Sequence, residues 1–211
     1  MKLTKHEHAC LVLEKSNDVL VIDPGNLTMP LADLRGVVAI VITHEHADHW
    51  TPEQLDRILD VNPDATIFAP RSVQRAAGGH TITAVADGDR HEVGGFTLAF
   101  YGTQHAVIHS SIPIVENVGV FVDGVLFYPG DAYTVPPVAV DTLAAPAGAP
   151  WLKIGEAMDY VLAVAPKRAF PTHEMTLSVA GQTLANARLE TVTKAGGGEY
   201  FPLQPGESLD L

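Results

Sequence analysis

Residues 43–50 read Thr-His-Glu-His-Ala-Asp-His-Trp and follow directly on the apolar run "GVVAIVI" at 36–42. That run has the composition of a strand buried on both faces, bounded by Gly36. Polar groups without partners at the end of such a strand cost about 2–7 kcal/mol each, so the cluster demands a reason. Metal binding supplies one. At the rim of a sheet, His44 and His46 can serve one ion while Asp48 and His49 turn toward a second. Imidazole nitrogen with carboxylate oxygen suits zinc, manganese or iron better than calcium or magnesium.

The rest of the chain predicts a β core with helices outside. "ACLVLE" and "DVLVID", separated by "KSN", form a hairpin leading into the buried strand, and Thr51 caps a helix with Pro52 at its first position. "ATIFAP" and "FTLAFYG" continue as strands, "VGVFVDGVLFYPGD" turns at Asp123-Gly124, and "RSVQRAA", "LKIGEAMDYVLAVA" and "SVAGQTLANARLETVTKAGGG" read as helices. Two segments rhyme: "VLVIDPG" with "VLFYPGD", and "VITHEH" with "AFPTHEM". The rhyme predicts one domain over 1–211 made of two related β/α halves, with polar strand ends from both converging.

Two ions need more ligands than one loop holds. His105, Asp131 and His173 each follow an apolar segment. His105 would complete a three-histidine site with His44 and His46, His173 would join Asp48 and His49, and Asp131 could bridge both ions. His6 and His8 fall on one face of a strand by alternation. With the ligand quota already filled, His8 reads as a wall of the site and His6 does not. His80 and His91 read as solvated loop residues. Trp50, Tyr133 and Trp151 adjoin the motifs as candidate pocket walls, and Asn117 as a candidate substrate contact. Cys10, the single cysteine, reads as a buried inert thiol.

His44, His46, Asp48 and His49 match the His-x-His-x-Asp-His motif, so the chain resembles the metallo-β-lactamase superfamily, with Asp23 in "VIDPG", His105, Asp131 in "YPGDAY" and His173 in "PTHEM" matching its other motifs in order. "HAC", "AAPAGAPW" and "APKRAFPTHE" resemble the branch holding L-ascorbate-6-phosphate lactonase and related metal-dependent hydrolases. The resemblance implies an α/β fold, the four-layer αβ/βα sandwich. It also implies that Asp23 orients a ligating histidine through a hydrogen bond.

Two divalent ions, zinc foremost with manganese or iron as alternatives, would lower the pKa of bound water toward about 7 and polarise a scissile carbonyl or phosphoryl group. Asp48 or Asp131 could move protons, and His109, four residues beyond His105, is a candidate for contacting substrate or protonating a leaving group. The expectation is a metal-dependent, lactonase-like hydrolase of a small ester, lactone or phosphoester, with an anionic or carbonyl-bearing substrate drawn to the metal charge. The alternatives are a mononuclear iron thiol or persulfide dioxygenase and a non-catalytic metal-containing ligand-binding protein. A diiron-flavin protein is disfavoured because His46 stands where that group resembles His-x-Glu. A formal charge of -12 disfavours nucleic acid and anionic membranes as partners. With no apolar run long enough to span a bilayer and no signal-like start, the expected location is the cytoplasm. Homo-oligomerisation is left open.

Overall fold

The computed structural model describes residues 1–211. The first half of the chain lays down β1 (Lys2–Lys5), β2 (Leu11–Lys15), β3 (Asp18–Ile22), β4 (Val37–Val41), α1 (Pro52–Val61), β5 (Thr66–Ala69), α2 (Arg71–Ala76) and β6 (Ile82–Ala84). The second adds β7 (Arg90–Val93), β8 (Phe96–Tyr101), β9 (Gly119–Val122), β10 (Leu126–Tyr128), β11 (Thr142–Pro146), α3 (Ile154–Val164), β12 (Arg168–Thr172), α4 (Val179–Ala195), β13 (Glu199–Tyr200) and β14 (Ser208–Asp210). The strands form two seven-stranded sheets, ordered β14-β1-β2-β3-β4-β5-β6 and β13-β12-β11-β10-β9-β8-β7. In the first, β1, β2 and β3 are antiparallel neighbours and β3 to β6 run parallel. In the second, β8, β9 and β10 are antiparallel and β10 to β13 parallel.

Alternation along the strands builds three apolar layers. Leu11, Leu13, Leu20, Ile22, Ala39 and Val41 face Phe96, Leu98, Phe100, Val120, Val122 and Phe170 between the sheets. Val12, Val21, Ile40 and Ile42 point the other way, onto Leu55 and Ile58 of α1 and Val73 of α2. Phe121, Phe127, Leu143 and Ala169 meet Ala157 and Val161 of α3 and Leu189 of α4. The result is the αβ/βα sandwich, with β4 apolar on both faces because both faces are covered.

Local signals explain the boundaries nearest the site. Thr51 Oγ1 accepts from Gln54 N at 3.2 Å and Pro52 occupies the first turn, so α1 starts immediately after the histidine cluster. Asp123 and Gly124 have φ of 52° and 69°, the pair of left-handed values the turn over 122–125 needs, closed by Val125 N donating to Val122 O at 2.9 Å. Two readings are corrected. β1 ends at Lys5, so His6 and His8 lie in the following turn instead of along a strand face, and His8 has φ 61°. His91 sits on β7 with its ring 4.9 Å from that of Phe68, packed instead of solvated. No helix is long and apolar enough to cross a membrane.

Candidate metal centre

From their pairing, β1, β3 and β4 of one sheet run the same way, as do β8, β10 and β12 of the other. The residues just past their carboxyl ends meet: His8, Asp23, the 44–49 loop, His105, Asp131 and His173. The sheets are tied at this point by Val118 N donating to Thr43 O at 3.0 Å and by a bridge between His44 and Asn117. Gly25 lets the 44–49 loop close in, since a Cβ there would overlap the Asp48 carbonyl and crowd His49 N.

Three sets of candidate ligand atoms lie within 4.8 Å of one another: His44, His46 and His105; His8, Asp48 and His173; His44, His49 and Asp131. The contacts around them fall into two classes. Outward contacts are short. His49 Nδ1 donates to Asp23 Oδ2 at 2.6 Å, His173 Nδ1 to Gly148 O at 2.7 Å, His105 Nδ1 to Ala106 O at 2.5 Å, and Trp151 Nε1 to Asp131 Oδ2 at 2.7 Å. Inward separations are longer. His44 Nε2 is 3.0 Å from His46 Nδ1, and Asp131 lies 3.3 Å from His49 Nε2, 3.3 Å from His105 Nε2 and 3.1 Å from His173 Nε2. Atoms bound at about 2.0–2.2 Å to one ion, at tetrahedral or octahedral angles, lie about 2.8–3.6 Å apart, which spans the inward class.

The outward bonds also set tautomers. With Nδ1–H committed to Asp23, Ala106 and Gly148, the neutral forms of His49, His105 and His173 each present a bare Nε2 to the interior, the form that binds a metal. Those three Nε2 atoms and Asp131 Oδ1 are buried without a hydrogen-bond partner. Buried polar atoms are almost always satisfied, and here a cation would satisfy all four together, so the residues fit a metal centre.

Charge in the metal-free cluster is arranged accordingly. Burial pushes His44 well below the ordinary histidine range, and neighbouring His49 adds to it. Burial opposes the charged forms of His49 and His173 too, but Asp131 with Asp23 holds His49 well above that range, and Asp131 and Asp48 hold His173 at about 9. Burial likewise disfavours ionised Asp131 and Asp48, yet their histidine neighbours hold both carboxyls well below the usual range. The carboxylates thus stay ionised against imidazolium protons, the charge a divalent cation would replace.

Several sequence-based placements change. His49, expected with Asp48 and His173, has its ring 5.2 Å from that of His173 but also groups with His44 and Asp131, so it stands between the two expected sets, and His8 joins Asp48 and His173, Nε2 at 3.1 Å from Asp48 Oδ2. His109 is exposed and outside the cluster, because a turn over 109–112 engages its Nδ1 with Ser111, 2.7 Å from Oγ and accepting from N at 3.1 Å. Asn117 is fully buried, not a loop contact; its Nδ2 donates to Pro129 O at 2.9 Å and its Oδ1 accepts from Asp131 N at 3.1 Å, fixing the Asp131 backbone. Trp50 packs on the helix side with Leu55 and Ile58, its Nε1 donating to Glu45 O. Tyr133 and Trp151 line a cavity of about 680 Å³ with Gln104, Val107, Thr134, Lys153 and Glu156, beside Asp131 and His105. Thr43 was missed: its N and Oγ1 donate to Asp23 at 2.8 and 2.7 Å, so the residue before the first histidine fixes the orienting carboxylate. Cys10 is buried, and burial pushes its thiol up, out of reactive range.

The profile of the beta-lactamase superfamily domain matches residues 2–173. Protein Rv0786c of Mycobacterium tuberculosis is 38% identical over 214 residues, covering 99% of this chain and 98% of that one. Igni18, a metallo hydrolase from the hyperthermophilic archaeon Ignicoccus hospitalis, superposes with TM-score 0.72 at 19% identity, over 99% of this chain and 97% of its own. The metallo-beta-lactamase fold protein YhfI from Bacillus subtilis does so with TM-score 0.74 at 16% identity, over 99% and 98%. At such identities the two structures speak for the fold.

Proposed function

Because the chain belongs to the beta-lactamase superfamily, we propose that it is a hydrolase that holds two divalent cations, zinc foremost, and cleaves a small ester, lactone or phosphoester. The observation that carries this reading is the set of inward-facing, partnerless atoms on His49, His105, His173 and Asp131. His44, His46 and His105 would hold one ion, and Asp48, His49 and His173 the other, with Asp131 between them. Bound there, the cations would supply hydroxide at neutral pH and polarise the scissile carbonyl or phosphoryl oxygen.

The chain's own groups do the rest. Asp23, Ala106 O and Gly148 O keep three imidazoles in the ligating tautomer. Trp151 holds Asp131, and Asp48, with a side chain 29% exposed, stands on the open side where a proton can reach solvent. The four positive charges of two such ions exceed the two negative ones of Asp48 and Asp131, so an anionic or carbonyl-bearing substrate is attracted into an acidic protein. The cavity beside Asp131 offers that substrate Trp151 and Val107 as apolar walls and Tyr133, Lys153 and Glu156 as polar ones.

The test is a panel of lactones, carboxylic esters, thioesters and phosphodiesters offered to protein loaded with zinc or manganese. Hydrolysis that chelation abolishes and added metal restores is expected. A single iron per chain with oxygen consumed on a thiol substrate, and no hydrolysis, overturns the reading.

A further inference from the structure

The ligand loops follow β4, β8, β10 and β12, but one histidine comes from elsewhere. His8 follows β1, is fully buried, and holds left-handed backbone at φ 61°, a conformation that costs a non-glycine residue about 1–2 kcal/mol. Its segment is pinned. Lys5, itself fully buried, pairs through Nζ with Glu174 Oε1 at 2.5 Å, and His8 O accepts from His173 N at 2.9 Å. The His8 ring lies 3.8 Å from that of His173, and Nε2 is 3.1 Å from Asp48 Oδ2.

His8 differs from His49, His105 and His173 in one respect. Those three each anchor an outer Nδ1–H on an oxygen, whereas His8 Nδ1 is buried with no partner. An orphaned buried N–H is rarer than an orphaned acceptor, so the favoured neutral tautomer leaves Nδ1 bare and carries the proton on Nε2, aimed at Asp48. Asp48 needs such a hold. Asp131 is fixed by Trp151 and Asp23 by Thr43, while Asp48 is the partly exposed carboxylate of the centre.

We propose that His8 is a positioning residue whose Nε2–H donates to Asp48 and turns that carboxylate toward His173, making the second cation subsite depend on the segment after β1. The role rests on the two-ion reading above. It is tested on full-length protein, stripped with chelator and titrated with cobalt(II), following the visible absorption of the bound ion and competition with a chelating dye. Wild type is expected to take up two ions. His8→Ala keeps the first ion and binds the second about 10–100-fold more weakly, the usual penalty for losing an outer partner of a ligand. His8→Gln, whose amide donor falls near the imidazole Nε2, recovers most of that loss. Two ions at wild-type affinity in His8→Ala overturn the proposal. So does a His8→Gln as weak as His8→Ala, which would make the imidazole itself a ligand, or equal weakening at both subsites in the two variants, which would mean packing alone. Fewer than two ions in wild type would instead strike the two-ion reading.

Discussion

Asp23→Asn isolates the tautomer argument. The Asp23 carboxylate is fully buried and receives three donors: Thr43 N on Oδ1 at 2.8 Å, Thr43 Oγ1 on Oδ2 at 2.7 Å, and His49 Nδ1 on Oδ2 at 2.6 Å. An amide is isosteric but has one acceptor oxygen. Thr43 N is backbone and cannot turn its hydrogen away, so the amide oxygen must stay at the Oδ1 position and the NH2 group must face the other two. The Thr43 hydroxyl can rotate to accept. His49 can accept only by moving its proton to Nε2, the nitrogen aimed at Asp131. To bind an ion it must revert and set N–H against N–H, losing a hydrogen bond to a charged group, about 1.5–3 kcal/mol. At about 1.4 kcal/mol per tenfold, that weakens binding at the His49 subsite roughly 10–100-fold. Zinc competition with a chelating dye measures it, and circular dichroism checks that the fold survives. Wild-type affinity at both subsites in a folded Asp23→Asn would refute the tautomer argument.

Gly25→Ala should distort the 44–49 loop, because the added methyl would overlap the Asp48 carbonyl; it is expected to lower zinc stoichiometry, and an unchanged stoichiometry would show the loop free to shift. Burial alone would push His173 down, yet Asp131 and Asp48 hold it at about 9 in the metal-free protein, against about 6.5 when unfolded. The native state then carries an extra proton between those values, so its contribution is complete below about pH 6.5 and is lost as pH rises toward about 9. Melting temperatures of the metal-free protein should fall across that window, while zinc-loaded protein, its His173 already deprotonated, should lack the slope. Ala165 ends α3 at φ 47°, so Ala165→Gly should stabilise the chain by about 0.5–1 kcal/mol, read as a higher melting temperature.

The long, alternating strands were legible because each apolar residue in them has a layer to enter, as Leu20 and Val21 do on opposite faces of β3. The ligand loop was legible for the opposite reason, since histidines crowded after a buried strand are costly unless something binds them. What escaped reading was short, set by backbone angles or, as with the fully buried β11, spelled Thr-Leu-Ala-Ala-Pro with little strand signal. β13 has only two residues, Glu199–Tyr200, and β7 alternates exposed with half-buried positions at the sheet edge, so neither carries a strong periodic signal. His8 looks like one tooth of a strand until its positive φ turns it under Asp48. Asn117 and His109 belong to one loop region, and spacing alone could not tell that the first fixes Asp131 from within while the second turns outward to Ser111.

The proposed function depends on two cations binding among the loops after β3, β4, β8, β10 and β12. Elemental analysis of the stripped chain reloaded with zinc, paired with anomalous diffraction at the zinc edge, tests that directly. Two zinc ions per chain, flanking Asp131 with His46 and His105 on one side and Asp48 and His173 on the other, are predicted. A folded chain that takes up none, or a single ion lying away from Asp131, would contradict the account.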